Sequence, residues 1–188
     1  DHFFDTIAEL VMLHSPSGVE EEVNRYLKEK LTVLGVEHWQ DDADNIVIRI
    51  PAASQAATDS PKSDTPKSDT QKRVLAITAH KDEIGGIVIR IDAQGRLAIR
   101  ALGGAYPWVY GEGVVDLLGD RATISGILSF GSRHVSHESP QKVQQEGTAV
   151  EWPNTWVEPK RTPAELDAAG IRPGTRMVVG NHRTRPLR

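Results

Sequence analysis

The chain has 188 residues, enough to bury a sizeable core in one ordinary domain or two small ones. Its net charge of -4 argues against a broadly basic nucleic-acid surface, and the absence of cysteine excludes disulfides and thiolate metal sites. Any transition-metal site must therefore use His, Asp and Glu, and no apolar run reaches the roughly 18 residues a membrane helix needs. No leader peptide is legible, and the expected compartment is the cytoplasm, with no membrane and no nucleic acid among the partners.

In chain order, Phe3, Phe4, Ile7, Leu10, Val11 and Leu13 predict an amphipathic helix over 3–13 that is broken by His14-Ser15-Pro16-Ser17-Gly18. Ser17 and Glu20 fit an S-x-x-E capping box, which predicts a second helix running to about Leu34 with Gly35 as its stop. Glu37–Gln40 is a short strand candidate, 41–45 carries turn chemistry, and the β-branched run Ile46–Ile50 predicts a strand. Residues 51–72 are rich in Ala, Ser, Thr, Asp and Pro, and they repeat Pro-Lys-Ser-Asp-Thr at 61–65 and 66–70. Such a stretch has no large apolar group to bury and reads as a mobile surface insertion between two strands.

Val74–Thr78 is almost wholly apolar, which predicts a strand covered on both faces. It leads into Ala79-His80-Lys81-Asp82-Glu83-Ile84-Gly85-Gly86. Ligands in open α/β sheets bind at the carboxyl ends of strands, an imidazole can ligate metal, and a carboxylate two residues on can fix its tautomer. His80 is thus a candidate metal ligand with Asp82 as its supporting carboxylate. The alternative is a hydrogen-bonded histidine at a strand end. Glu83 would point to the other face, so Asp82 and Glu83 are not expected to work as an acid/base pair.

The second half changes texture. Ile87–Ile91, the turn Asp92–Gly95 and Arg96–Arg100 predict a hairpin, and short strand candidates follow at 114–115, 121–124, 126–129 and 177–179, a spacing that suggests a small β-barrel or sandwich. Thr162 as cap, Pro163 at the first helical position and Gly170 as the stop define a short helix between them. His134 and His137 are three apart but flanked by loop residues, so a solvated loop is expected there rather than a metal site. Trp108, Trp152 and Trp156 could either present a contact surface to a partner subunit or cover the core of the β-region. Gly103-Gly104 and Gly111-Glu112-Gly113 lack the Gly-Lys-Ser/Thr ending of a phosphate loop, and no Gly-x-Ser-x-Gly elbow is present.

Read together, these segments resemble the M42 family of metallo-aminopeptidases, the glutamyl and tetrahedral aminopeptidase group, some members of which carry an older endoglucanase (cellulase) label. The stretch 15–20 is similar to the family's P-S-G-x-E. Residues 44–47 are similar to its D-x-x-G-N strand entry with the glycine absent, and 79–85 to A-H-M-D-E-I-G with Lys81 for Met. Residues 125–134 and 169–175 resemble parts of the family's inserted β-domain. The resemblance implies an α/β fold: an incomplete peptidase-type catalytic domain (1–83), an inserted β-barrel dimerisation domain (84–180), and a return towards the catalytic domain (181–188).

It also implies a two-metal centre of zinc or cobalt, with His80 a ligand, Asp82 the catalytic-site carboxylate that supports it, and a glutamate as general base. Substrates would be peptides shortened from their N-termini, and partners further copies of the chain, as dimers building to a dodecamer. In the family the remaining ligands and the base follow the inserted domain, and 183–188 offer none of them. The expectation is therefore an N-terminal part that holds at most one metal weakly and is inactive alone. A non-catalytic assembly remnant is the alternative, and a glycoside hydrolase rests only on the older label.

Overall fold

The computed structural model describes residues 2–51, 75–131, 147 and 149–180. The Pro-Lys-Ser-Asp-Thr repeat, the His134/His137 pair and the stretch 181–188 lie outside the described residues. The chain divides into two compact units, Asn24–His80 and a second made of Asp1–Val23 with Lys81–Arg188.

The first unit contains most of helix α2 (Glu21–Val33) and a two-stranded antiparallel sheet, β1 (Glu37–Gln40) on β2 (Ile46–Arg49). Gly35 ends α2 at φ 65°, the left-handed conformation a helix stop favours. Asp41 closes the hairpin by accepting from the backbone N–H groups of Ala43 and Asn45, which answers the turn expected at 41–45. Asn24 donates to both carboxylate oxygens of Asp44 at 3.1 Å, tying α2 to that turn. Over the described part of the strand expected at 74–78, none is formed: residues 75–80 have no regular secondary structure, and Leu75 and Ile77 are 86% and 89% exposed. A strand needs a neighbour to satisfy its backbone groups, and among the described residues none pairs with this stretch.

In the second unit, helix α1 spans His2–Leu10, shorter than the expected 3–13, and none of its residues is buried. The dominant feature is a closed six-stranded barrel in the order β3-β4-β7-β6-β5-β8. Its strands are β3 (Gly85–Ile91), β4 (Leu97–Leu102), β5 (Gly113–Leu118), β6 (Thr123–Ser129), β7 (Trp156–Glu158) and β8 (Arg176–Val179). Every neighbouring pair is antiparallel, and β8 closes the ring on β3. Closure removes the exposed edges an open sheet would leave.

The expected hairpin is β3–β4, and the two short candidates at 121–124 and 126–129 merge into β6. Strand β7 carries only three residues and no alternating pattern long enough to read. The core is the inward set Val88, Leu97, Ile99, Val115, Leu117, Leu128, Val157 and Met177. Each is worth roughly 1.5–3 kcal/mol of burial.

Two short helices decorate the barrel: α3 (Pro107–Tyr110) between β4 and β5, and α4 (Pro163–Ala168) between β7 and β8. Thr162 caps α4 as expected, and Glu165 completes a capping box by accepting from the Thr162 N–H at 2.7 Å. The three tryptophans of the β-region divide. Trp152 packs edge-on against buried Tyr110 and donates to the Ala105 carbonyl, and Trp156 lies under Arg96. Trp108 is 58% exposed and stacks on exposed Tyr106.

The β3–β4 turn depends on Gly95. It sits at φ 81°, and a Cβ there would lie 2.0 Å from the Arg161 carbonyl oxygen. Gly95→Ala combines backbone strain with a clash against main chain, so it should cost more than about 2 kcal/mol, read as a drop in urea midpoint at unchanged slope.

Candidate functional site

The residues singled out by the sequence come from two distant stretches, and the second unit brings parts of them together. Ser15-Pro16-Ser17 lies alongside Lys81-Asp82-Glu83, with a parallel bridge between Pro16 and Glu83. The Glu83 N–H donates to the Ser15 carbonyl at 2.7 Å, and the Ser15 N–H donates back to Glu83 Oε1 at 2.8 Å. The Ser15 hydroxyl donates to the Lys81 carbonyl at 2.7 Å, and the Ser17 hydroxyl donates to Asp82 Oδ2 at 2.5 Å. Asp82 and Glu83 thus engage different serines.

This pairing corrects one sequence expectation. Ser17 does not cap α2. Its hydroxyl is committed to Asp82, the helix begins at Glu21, and the Glu20 carboxylate accepts from the Gly18 N–H at 2.8 Å. The S-x-x-E spacing is present, but the first helical residue comes after Glu20, which leaves Ser17 outside the capping position.

The stretch is also anchored to the barrel. His14 Nε2 lies 3.3 Å from Asp116 Oδ2 on β5, and both residues are buried, at 6% and 5% exposure. Val115 and Leu117 fill the barrel interior, so by strand alternation Asp116 stands on the outer face, where His14 covers it. The other Asp116 oxygen accepts from the Ser125 hydroxyl on β6 at 2.7 Å, and the His14 N–H donates to Glu22 Oε2 at 2.9 Å. From β8, Arg176 donates through Nε to the Ser17 carbonyl at 2.9 Å. None of these anchors was legible beforehand. A lone Asp in a strand and a lone Arg at a strand start carry no periodic signal.

Burial pushes the Glu83 carboxyl above its ordinary value, against the opposing effects of the Ser15 N–H and His14, with Glu22 adding to the rise. Burial likewise pushes the Tyr110 hydroxyl up to about 12, the Glu83 charge contributing.

His80 is exposed and belongs to the first unit, whereas Asp82 is half-buried in the second. No group of three or more His, Asp or Glu side chains able to hold a metal converges among the described residues.

A family model described as M42 glutamyl aminopeptidase matches residues 64–186. "Putative aminopeptidase SgcX" of Escherichia coli is 24% identical over 177 residues, covering 94% of this chain and 42% of that protein. The TET aminopeptidase of a marine sediment thaumarchaeon superposes with a TM-score of 0.70 at 23% identity, covering 92% of this chain and 42% of that one. The TET1 peptidase of Pyrococcus horikoshii, described as assembling into a tetrahedron or a large octahedral shell, gives 0.64 at 17% identity, with 92% and 45% covered. The chain therefore spans less than half the length of these relatives.

Two measurements follow. His14→Ala removes one hydrogen-bond partner of buried Asp116, whose other oxygen keeps the Ser125 hydroxyl, and should destabilise the second unit by roughly 1–3 kcal/mol in chemical unfolding. Glu83 has a folded pKa raised above the unfolded value near 4.5, so its ionised form opposes folding at neutral pH. Glu83→Gln should therefore be favourable relative to wild type above that window. The advantage should shrink as pH falls through the raised folded value towards 4.5, where the wild-type carboxyl is protonated in both states.

Proposed function

The chain belongs to the M42 glutamyl aminopeptidase family, and on that premise we propose that the whole protein is a metal-dependent aminopeptidase that removes residues from the N-termini of peptides. The observation that carries the assignment of site residues is the Ser17–Asp82 hydrogen bond, which joins the Pro-Ser-Gly stretch to the His-x-Asp-Glu stretch. Both motifs belong to the family resemblance, and 65 positions separate the bonded residues.

In this reading His80 supplies an imidazole ligand to one ion of a zinc or cobalt pair, and Asp82 fixes the imidazole's tautomer and orientation from behind. Paired divalent ions, when bound, activate water and stabilise the charge of a tetrahedral oxyanion. The residues of this chain do the preparatory work. Ser17 holds the Asp82 carboxylate, and Ser15 and Glu83 lock the two stretches in register. The further ligands and the general base are assigned to sequence beyond this chain.

The barrel is assigned a self-association role. Supporting it are the assemblies described for the Pyrococcus relative and the stacked, exposed Tyr106 and Trp108.

In the full-length protein, His80→Ala should lower bound zinc or cobalt and the hydrolysis of amino acid p-nitroanilides together. Unchanged metal stoichiometry would remove His80 from the ligand set. Release of reducing sugar in place of amino acids would replace the peptidase reading with a glycosidase one. Wild-type protein that holds no metal and turns over neither substrate would leave an assembly role.

A further inference from the structure

We infer that Ser17 is a positioning residue for the Asp82 carboxylate, and that Arg176 of the barrel holds Ser17 in place to do so. The inference deepens the proposed function, since it rests on Asp82 acting behind His80.

The Ser17 hydroxyl lies outside the capping position of α2, which begins at Glu21, and it donates to Asp82 Oδ2 at 2.5 Å. An ionised carboxylate can only accept, so the direction of this bond is fixed, and charge-assisted bonds of this kind are among the stronger side-chain contacts. A half-buried aspartate has several rotamers available, and a donor at one oxygen selects among them.

The donor is useful only if its own backbone cannot drift, and three contacts restrain it. Arg176 Nε donates to the Ser17 carbonyl at 2.9 Å, while Nη1 of the same guanidinium donates to the Gly174 carbonyl at 2.7 Å. The planar fork thus spans the β8 approach and the Ser17 loop with little freedom. Gly18 follows at φ 82°, and a Cβ there would lie 2.8 Å from Arg176 Nη2, so the glycine is what lets the guanidinium reach the carbonyl. Upstream, the Ser15 hydroxyl is held by the Lys81 carbonyl at 2.7 Å. A rigid barrel strand is therefore connected to the Asp82 carboxylate through one guanidinium, one carbonyl and one hydroxyl.

The test uses the full-length protein, with zinc affinity measured by chelator competition, and kcat and KM measured on an amino acid p-nitroanilide. Ser17→Ala should weaken zinc binding by about 5–10-fold, at the low end of the range for groups that orient metal ligands. It should lower kcat with KM within about twofold, and leave the metal-free melting midpoint within about 3 °C of wild type. Ser17→Thr keeps the hydroxyl and should restore both zinc affinity and kcat. Arg176→Met should move affinity in the same direction by a smaller factor. Asp82→Asn should weaken zinc binding at least as much as Ser17→Ala, and the double variant no further than Asp82→Asn alone.

Wild-type zinc affinity in Ser17→Ala, alongside an impaired Asp82→Asn, would overturn the role of Ser17 and leave the proposed function standing. Fully additive losses in the double variant, or no rescue by Ser17→Thr, would reduce Ser17 to a structural contact. Wild-type zinc binding and turnover in both His80→Ala and Asp82→Asn would remove the proposed function and this inference with it.

Discussion

The alignment of Ser15-Pro16-Ser17 against Lys81-Asp82-Glu83 is the contact on which the candidate site depends. Four hydrogen bonds hold it, two of them exchanged between Ser15 and Glu83. Each is worth a net of about 0.5–1.5 kcal/mol, and loop-closure cost grows only logarithmically with length. A few well-made bonds can therefore hold together stretches far apart in the chain, and an insertion between them need not disturb the site. Glu83 bears a cost for this arrangement: its carboxyl is drawn out of water to accept the Ser15 N–H, and burial pushes its pKa up.

The barrel gives that alignment something fixed to rest on. Its interior is filled by aliphatic side chains and methionine, and closure leaves no free edges. Two polar groups leave it for the N-terminal stretch: Asp116 from β5 towards His14, and Arg176 from β8 towards Ser17. Neither serves the barrel's own core. A buried His–Asp hydrogen bond contributes little net stability, but removing one partner leaves the other with a desolvation cost. It is better suited to setting where the N-terminal stretch sits than to stabilising the fold.

Much of the β-region was legible because its signals are local. The Asp92–Gly95 turn between alternating segments marked a hairpin, and Thr162-Pro163 marked the start of α4. Strand β7 escaped because three residues show no period, and the stretch 75–80 misled because apolar composition reports a tendency to be covered and does not identify the cover. In the site, His80 and Asp82 were legible as residue types at a telling spacing. Ser17 was legible as a helix cap and as part of the Pro-Ser-Gly stretch, but not as the partner of Asp82. Asp116 and Arg176 gave no sign at all.

From the sequence alone came the residue types that can do metal chemistry, the exclusion of thiolate ligands, the family resemblance and the shift from helical to β texture near residue 84. These are properties of composition, spacing and short-range order, which a linear chain carries on its face. Only the tertiary structure decided that the barrel closes, that His14 shelters Asp116, and that the Ser17 hydroxyl goes to Asp82 instead of to its own helix. The physical reason is reach: which groups meet across 65 residues is set by folding and not by position in the chain.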